Sequence, residues 1–451
     1  MLETDYKNST NCDSDEEYDN VYEMLQKDEK GKPYQNSINC QIAVKYDPLL
    51  KNAFRLNDLT GKIDVTKDLG WSRSSLSFSD TDLDNIITYI ESNYCLFGDK
   101  RIERAVKVVA NENHYHPIKD KLNSLVWDGT PRLENALTHF LGAPKSPLTT
   151  EALRLFMLGA VSRVFEPGCK FEYMLCLVGG QGAGKSTFFR FLAMNDDWFT
   201  DDIKSLDDTK VFQYLQGHWI IEMPEMLAVL NAKMVEDTKA FISRQRDNYR
   251  TPYDKYASDH LRQCVFGGSS NITEFLPMDK SGNRRFLPVE VNTQSAEVHI
   301  LDDEKASREY IEQLWAEIMV IYNSGNYRLS LSKEMNNLLT DSQEHFSPED
   351  IFESDIRNFI QKERPDYICT KMLYEEALGF TCDDGVEMWK SKKIGEIINT
   401  KFPEYERISS HRFSKYGTQR AWAIKNRDEF RSLSEKDKSD IPFCQESFLY
   451  N

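Results

Sequence analysis

Residues 179–186, GGQGAGKS, satisfy G-x-x-x-x-G-K-[ST] at every fixed position. Each residue type has a task around a phosphate. Glycines let backbone N–H groups curve round the anion, the Lys185 ammonium can reach the outer phosphate charge, and the Ser186 hydroxyl can ligate Mg2+. The nucleotide-binding candidates are therefore Gly179, Gly180, Gln181, Gly182, Ala183, Gly184, Lys185, Ser186 and Thr187, with a nucleotide and Mg2+ as ligands. A glycine-rich turn before a buried helix is the plain alternative, and the complete motif outweighs it.

A magnesium–phosphate site also needs an acid at the end of a neighbouring strand. In GHWIIEMPEM, residues 217–226, Trp219, Ile220 and Ile221 read as a short buried strand, Glu222 follows, and Glu225 stands three residues on. Glu222 is the candidate to hold Mg2+ with Ser186, and Glu225 to accept a proton from attacking water; the two roles could be exchanged, or both acids could simply be solvated. His218 beside them is read as structural. In CVFGGSSN, residues 264–271, a strand turns at its tip and presents Asn271, able to orient water or sense the outer phosphate. The loop DKSGN then leads to Arg284 and Arg285. Either they pair with acids of their own chain, or one of them, with Arg285 preferred, neutralises transition-state charge on a nucleotide held by an adjacent subunit.

These groups require a strand, a loop and a helix in that order. EALRLFMLGAVSRVF, residues 151–165, predicts a helix; the turn EPGCKFE leads into the apolar run of residues 174–178; KSTFFRFLAM then takes up helical periodicity. Upstream, helical spacing marks residues 83–94, with Asp80 or Asp82 as a cap, and residues 99–115, where Ile102, Ala105, Val106 and Val109 share a face. Downstream, residues 307–325 place Ile311, Leu314, Trp315 and Ile318 on one helical face. The expected fold class is α/β: a P-loop core with an α+β or mostly helical N-terminal module and a small winged-helix-like C-terminal domain. Five regions follow: an acidic flexible tail over 1–45, an accessory module over 46–145, the ATPase domain over 146–335, a helical linker over 336–362 and the winged-helix-like domain over 363–451.

At 451 residues the chain is long enough for two to four domains. Its net charge of -17 argues against a basic coat, although the first thirty residues concentrate ten acids against three bases, as a solvated arm does. No window is apolar enough for a membrane span and the start lacks the pattern of a signal peptide, so no membrane partner and a cytoplasmic location are expected. Nine cysteines form no C-x-x-C pair and read as reduced thiols; His114 and His116, an H-x-H without acidic or thiol neighbours, read as packing residues. A guanine-reading N-K-x-D is missing, which favours ATP over GTP, and a small-molecule kinase would not need the long second half.

Two segments suit nucleic acid. Residues 244–262 hold five Arg or Lys and three Asp interleaved with Tyr249, Tyr253 and Tyr256. Arg244, Arg246, Arg250 and Lys255 could track a phosphate backbone while tyrosines stack on bases; a solvated hairpin is the alternative. Near the C-terminus, two amphipathic helices precede a hairpin, and residues 390–420 carry eight Lys or Arg against three Glu. Lys392, Lys393, Arg412, Lys415 and Arg420 are the candidate DNA contacts there, with protein docking as the other use of such a domain.

The order of motifs resembles the virulence-associated protein E family, a branch of the superfamily III-like AAA+ ATPases of phages, prophages and satellite elements. The resemblance runs from about Asp47 to about Val291 through NENHYHPIKDKLNSLVWDGTPRL, the glycine loop, WIIEMPE, SRQRDNYRTPYDKYASDHLRQCVFGGSSN and RRFLPVEV. It implies nucleotide binding by Gly184, Lys185 and Ser186, an acidic motif at Glu222 and Glu225, a sensor at Asn271 and an arginine pair at Arg284 and Arg285. It further implies a DNA translocase or helicase in mobile-element replication, acting on single-stranded or forked DNA as a homo-oligomer, hexameric in related enzymes, beside other replication proteins. The alternative is a nucleotide-gated DNA-binding or protein-interaction factor that hydrolyses ATP without unwinding. Many helicases of this superfamily have adjacent acids where this chain spaces Glu222 and Glu225 three apart, which leaves open which one activates water.

Overall fold

The computed structural model describes residues 20–203, 211–224, 232–250, 256–276, 283–348, 350–381 and 386–425. Glu225, Lys255 and Tyr253 lie outside the described residues.

Five strands form the central sheet: β1 Met174–Val178, β2 Phe199–Thr200, β3 Ile220–Pro224, β4 Val265–Ser270 and β5 Phe286–Glu290, in the spatial order β5-β1-β4-β3-β2. Every neighbouring pair is parallel. Parallel sheets are covered on both faces, so their strands read as unbroken apolar runs. β1 is buried at all five positions, and its alternation sends Leu175 and Leu177 to one core while Met174, Cys176 and Val178 join the other. Because β4 lies between β1 and β3, the carboxyl ends of all three strands are neighbours.

The first face is covered by α1 Pro147–Phe165, α2 Lys185–Leu192 and α3 Glu304–Asn323, joined by α4 Lys333–His345. α1 starts where Ser146 accepts a hydrogen bond from the Thr149 amide and Pro147 occupies the first turn. Buried Trp219 and Trp315 meet between the sheet and α3 with ring centroids 4.5 Å apart, each indole donating to a backbone carbonyl, of Ala160 at 3.0 Å and of Leu192 at 2.8 Å. Glycine in β4 has a packing reason. A Cβ on Gly267 would lie 2.4 Å from the Phe189 ring of α2, so the absence of a side chain lets that helix sit directly on the strand.

The N-terminal module is α+β. Antiparallel strands Phe54–Asn57 and Lys62–Val65 are joined by His114–Tyr115, and helices Ser37–Tyr46, Asp80–Tyr94 and Asp99–Glu112 complete it. The cap of the second helix is Ser79; Asp82 is its partner three residues on, closing a capping box. The fold reaches back into the stretch expected as a tail: Val21, Leu25, Cys40, Ala43 and Val44 are buried in the module's core. Among the described acids of this stretch Glu23 and Glu29 are exposed while their apolar neighbours pack inward, and the acidic run of residues 13–19 lies outside the described residues.

The chain divides into two compact units after Ser347. Residues 336–362, expected as a linker, hold packed helices on both sides of that break. α4 buries Leu339 in the first unit, and its Gln343 donates to the carbonyls of Asn283 and Phe286, both at 2.8 Å. Helix Ile351–Glu363 buries Ile356 and Ile360 in the core of the second unit. That unit has a three-stranded antiparallel sheet, with Gly417–Ile424 between Tyr367–Cys369 and Tyr405–Phe413, packed against Ile351–Glu363 and Met388–Lys401. No described helix is long and apolar enough to cross a membrane.

Candidate nucleotide-binding site

The loop between β1 and α2 is shaped by its glycines. A Cβ on Gly179 would come within 2.3 Å of the Val291 carbonyl, and Gly182 and Gly184 have φ of +79° and +76°, which L side chains rarely adopt. A Cβ on Gly180 or Gly182 would meet nothing within 4 Å, so these two positions line open space. α2 starts at Lys185 directly after Gly184, aiming unpaired amides and the positive end of its dipole at the loop.

Five side chains converge on this point. Lys185 Nζ donates to the carbonyls of Gly179 (2.7 Å) and Gly180 (2.8 Å) and to Asn271 Oδ1 (3.0 Å), which ties the tip of β4 to the loop. Burial draws the Lys185 ammonium below the usual lysine range, while the Glu222 charge works in the opposite direction. Ser186 Oγ donates to Glu222 Oε1 at 2.7 Å. Ser269 on β4 donates to the same oxygen at 2.5 Å. Glu222 is fully buried; burial pushes its carboxyl above the usual glutamate range, against the pull of the Ser269 and Ser186 hydroxyls.

Glu222 Oε2 has no hydrogen-bond partner among the described residues. A buried orphan acceptor beside a serine hydroxyl is a donor set that a hard dication satisfies, so the residues present fit Mg2+, held by Ser186 and Glu222 directly or through water. No cluster of three or more His, Cys, Asp or Glu able to hold a metal occurs among the described residues. His116 uses both ring nitrogens structurally, accepting from the Lys119 amide and bonding Gln263 Oε1 at 2.6 Å.

The arginine pair divides. Arg285 Nε donates to Ser243 Oγ at 2.9 Å and its Nη2 lies 3.6 Å from Glu172, whereas the Arg284 side chain is 69% exposed with Glu172 at 4.0 Å. Arg285, the arginine preferred from the sequence, is thus anchored within its own chain, and Arg284 is the one presented outward.

The basic segment is an antiparallel ribbon, Arg246–Tyr249 paired with Ser258–Leu261. Arg246 pairs with Asp259 at 3.2 Å and Arg244 with Asp247 at 3.7 Å, while Arg250 is exposed toward the tip. Tyr249 is stacked on His260 at 4.0 Å and on Phe212 at 5.7 Å, and burial pushes its phenol up to about 12; it packs rather than offering a face to a base. Tyr256, 81% exposed, does offer one. In the second unit Lys392, Arg412 and Arg420 are exposed, but Lys393 pairs with Asp350 and Lys415 with Glu375, each at 3.0 Å. Arg412 lies opposite Thr418 across the hairpin, which puts it on the same face as Arg420.

In the WDGTPR stretch the chain bends at Gly129, where the Trp127 indole donates to the Thr130 carbonyl at 3.0 Å and the Thr130 amide donates to Asp128 at 2.8 Å. Arg132 donates twice to Asp128, at 2.8 and 2.6 Å, and Glu317 of α3 accepts from the Arg132 and Leu133 amides.

The model of the Virulence-associated protein E-like domain matches residues 122–348, a little over half of the chain. The chain belongs to this family. The matched span begins inside the last helix before WDGTPR and continues past β5 through α3 and α4, so the family domain ends where the first compact unit ends. Membership supports, in general terms, a nucleotide-hydrolysing, nucleic-acid-associated function that uses ATP and Mg2+. Similar solved structures include the apo C-terminal region of NrS-1, residues 305–718, at 15% identity and a TM-score of 0.48, covering 82% of this chain and 96% of that one. An A-form apo structure of the NrS-1 C-terminal region is similar at 13% identity, the same coverage and a TM-score of 0.48. No curated protein matches the chain.

Proposed function

We propose that the chain is an ATP-driven DNA translocase or helicase of mobile-element replication. The observation that carries this reading is the meeting of Lys185 and Ser186, just after β1, with Asn271 at the tip of β4 and with Glu222, which lies within β3 and does not follow it as the sequence suggests. Lys185 exchanges its loop carbonyls for the outer phosphates of ATP. Ser186 and Glu222 would hold Mg2+, which would supply positive charge against that building on the phosphoryl oxygens. Asn271 registers whether the outer phosphate is present, a role that its bond to Lys185 supports. Glu225 accepts the proton of the attacking water. Arg284, the outward member of its pair, supplies a cation to a neighbouring subunit in a ring of identical chains.

The ribbon, through Arg246, Arg250 and the Tyr256 ring, contacts single-stranded or forked DNA. The second unit, read as a winged helix, adds phosphate contacts from Lys392, Arg412 and Arg420. Pairing of Lys393 and Lys415 with acids of their own unit supports the second reading, in which that unit docks a protein and ATP hydrolysis serves assembly alone. Strand displacement from a fluorescent forked duplex separates the two. ATP-dependent displacement by the wild-type chain, lost in Lys185→Ala with unchanged circular dichroism, is expected for a helicase; DNA binding without displacement sinks that reading in favour of the second.

A further inference from the structure

Arg163, on α1, is fully buried, yet no hydrogen bond of its guanidinium goes to a carboxylate among the described residues. Its three bonds go to backbone carbonyls: Cys264 at 2.8 Å, Phe171 at 2.6 Å and Arg244 at 3.2 Å. Nε has no partner among the described residues. A buried guanidinium left partly unsatisfied is costly, and an apolar side chain of similar volume would ordinarily stabilise the same place better.

The three carbonyls are not random neighbours. Arg244 precedes the first strand of the ribbon, Cys264 stands between its second strand and β4, and Phe171 leads into β1. One planar cation therefore ties both stems of the ribbon to the entry of the strand that feeds the phosphate loop. A second guanidinium reinforces the root: buried Arg262 forms a bidentate pair with Asp247 at 2.6 and 3.0 Å and donates to the Phe241 carbonyl. Arg285 continues the chain of contacts by bonding Ser243 and pairing with Glu172, the residues next to Arg244 and Phe171.

We propose that Arg163 is a positioning residue that couples the ribbon to the nucleotide site, so that a load on the ribbon displaces β4 and the Asn271 at its tip. This rests on the reading of the ribbon as a DNA contact. β4 is the mechanical link: it begins one residue after the Cys264 carbonyl and is clamped by pairing to β1 on one side and β3 on the other. Lysine at 163 would retain the charge but, as a single ammonium on a flexible stem, could not span three carbonyls with a rigid fork.

The test compares wild type with Arg163→Lys in steady-state ATP turnover with and without forked DNA, alongside DNA affinity by fluorescence anisotropy. Expected are unchanged basal turnover and a stimulation by DNA that falls roughly tenfold, the scale of a coupling between two sites. Equal stimulation in the two proteins overturns the proposal, as does a loss of stimulation fully explained by weaker DNA binding. Should the variant fail to fold, the wild type decides by hydrogen exchange with and without forked DNA. Slowed exchange in residues 171–173 and 264–266 together with the ribbon supports coupling, and slowing confined to the ribbon overturns it. A wild-type chain that binds no DNA at the ribbon overturns the functional reading first and the coupling with it, which distinguishes the two failures.

Discussion

Glu222 is a carboxylate kept in a place that disfavours its charge. Its carboxyl titrates above the usual glutamate range in the folded chain, so the folded state binds that proton more readily than the unfolded state does. The stability this group contributes is present below the ordinary glutamate pKa and is lost as pH rises through the raised value. Glu222→Gln should therefore abolish ATP hydrolysis and stabilise the chain by about 1 kcal/mol near neutrality, with the gain shrinking in acid. Denaturant titrations across a pH series measure this; a less stable Gln variant at neutral pH would contradict the account. The arginine pair gives a second contrast. Arg285→Ala removes the Ser243 and Glu172 interactions and should cost roughly 1–3 kcal/mol of stability. Arg284→Ala should leave stability alone while lowering turnover by on the order of 10^3. Mixing Arg284→Ala with Glu225→Ala should then restore part of the turnover, because a mixed ring contains some interfaces with both groups intact. No recovery in oligomers shown to be mixed would refute a site shared between subunits.

At the scale of the element, β4 decides how tightly the site is built. Gly267→Ala would drive a Cβ into the Phe189 ring, so α2 or the strand must shift, at an expected cost of about 1–3 kcal/mol and with weaker ATP binding as the loop moves with α2. Calorimetric titration of ATP with a thermal melt checks both; unaltered melting would mean that the ring yields freely. The sequence declared the phosphate loop because its chemistry occupies consecutive residues between a strand and a helix. Ser269 went unnoticed although it bonds the same oxygen as Ser186, since that bond depends on the register of β4 against β3 and on no spacing within either. The Ser79 cap was hidden for a related reason: Asp82, the more conspicuous acid, is the other half of the same box. Tyr249 was equally ambiguous in sequence, because an interleaved aromatic reads alike whether it stacks on a base or, as here, on His260 and Phe212.

For the molecule as a whole, each of the two compact units has its own core and carries one of the two proposed DNA-binding surfaces. The second core is formed wholly by residues 352–424, so changes on its surface should not propagate into the phosphate loop. Replacing Lys392, Arg412 and Arg420 together with alanine should leave basal ATP turnover unaltered and weaken DNA binding. The slope of log affinity against log salt should flatten by about 0.7–0.9 for each phosphate no longer neutralised. Binding measured by anisotropy over a salt series tests this, and an unchanged slope would assign the second unit to protein docking instead. The acidic balance of the full chain is no obstacle, because contact with a phosphate depends on local charge and Lys392, Arg412 and Arg420 are exposed.

The paired indoles of Trp219 and Trp315 have an optical consequence. Trp219 directly precedes β3, and Trp315 belongs to α3, so their tilted ring contact exists only while helix and sheet remain together. Two chromophores held at 4.5 Å in a dry, hydrogen-bonded setting should give a strong near-ultraviolet dichroic band and blue-shifted emission. Trp389 of the second unit, 58% exposed, should emit further to the red. Subtracting the spectrum of Trp315→Phe from that of the wild type isolates this pair from the five other tryptophans and gives a gauge of the strand that bears Glu222, readable without any added dye.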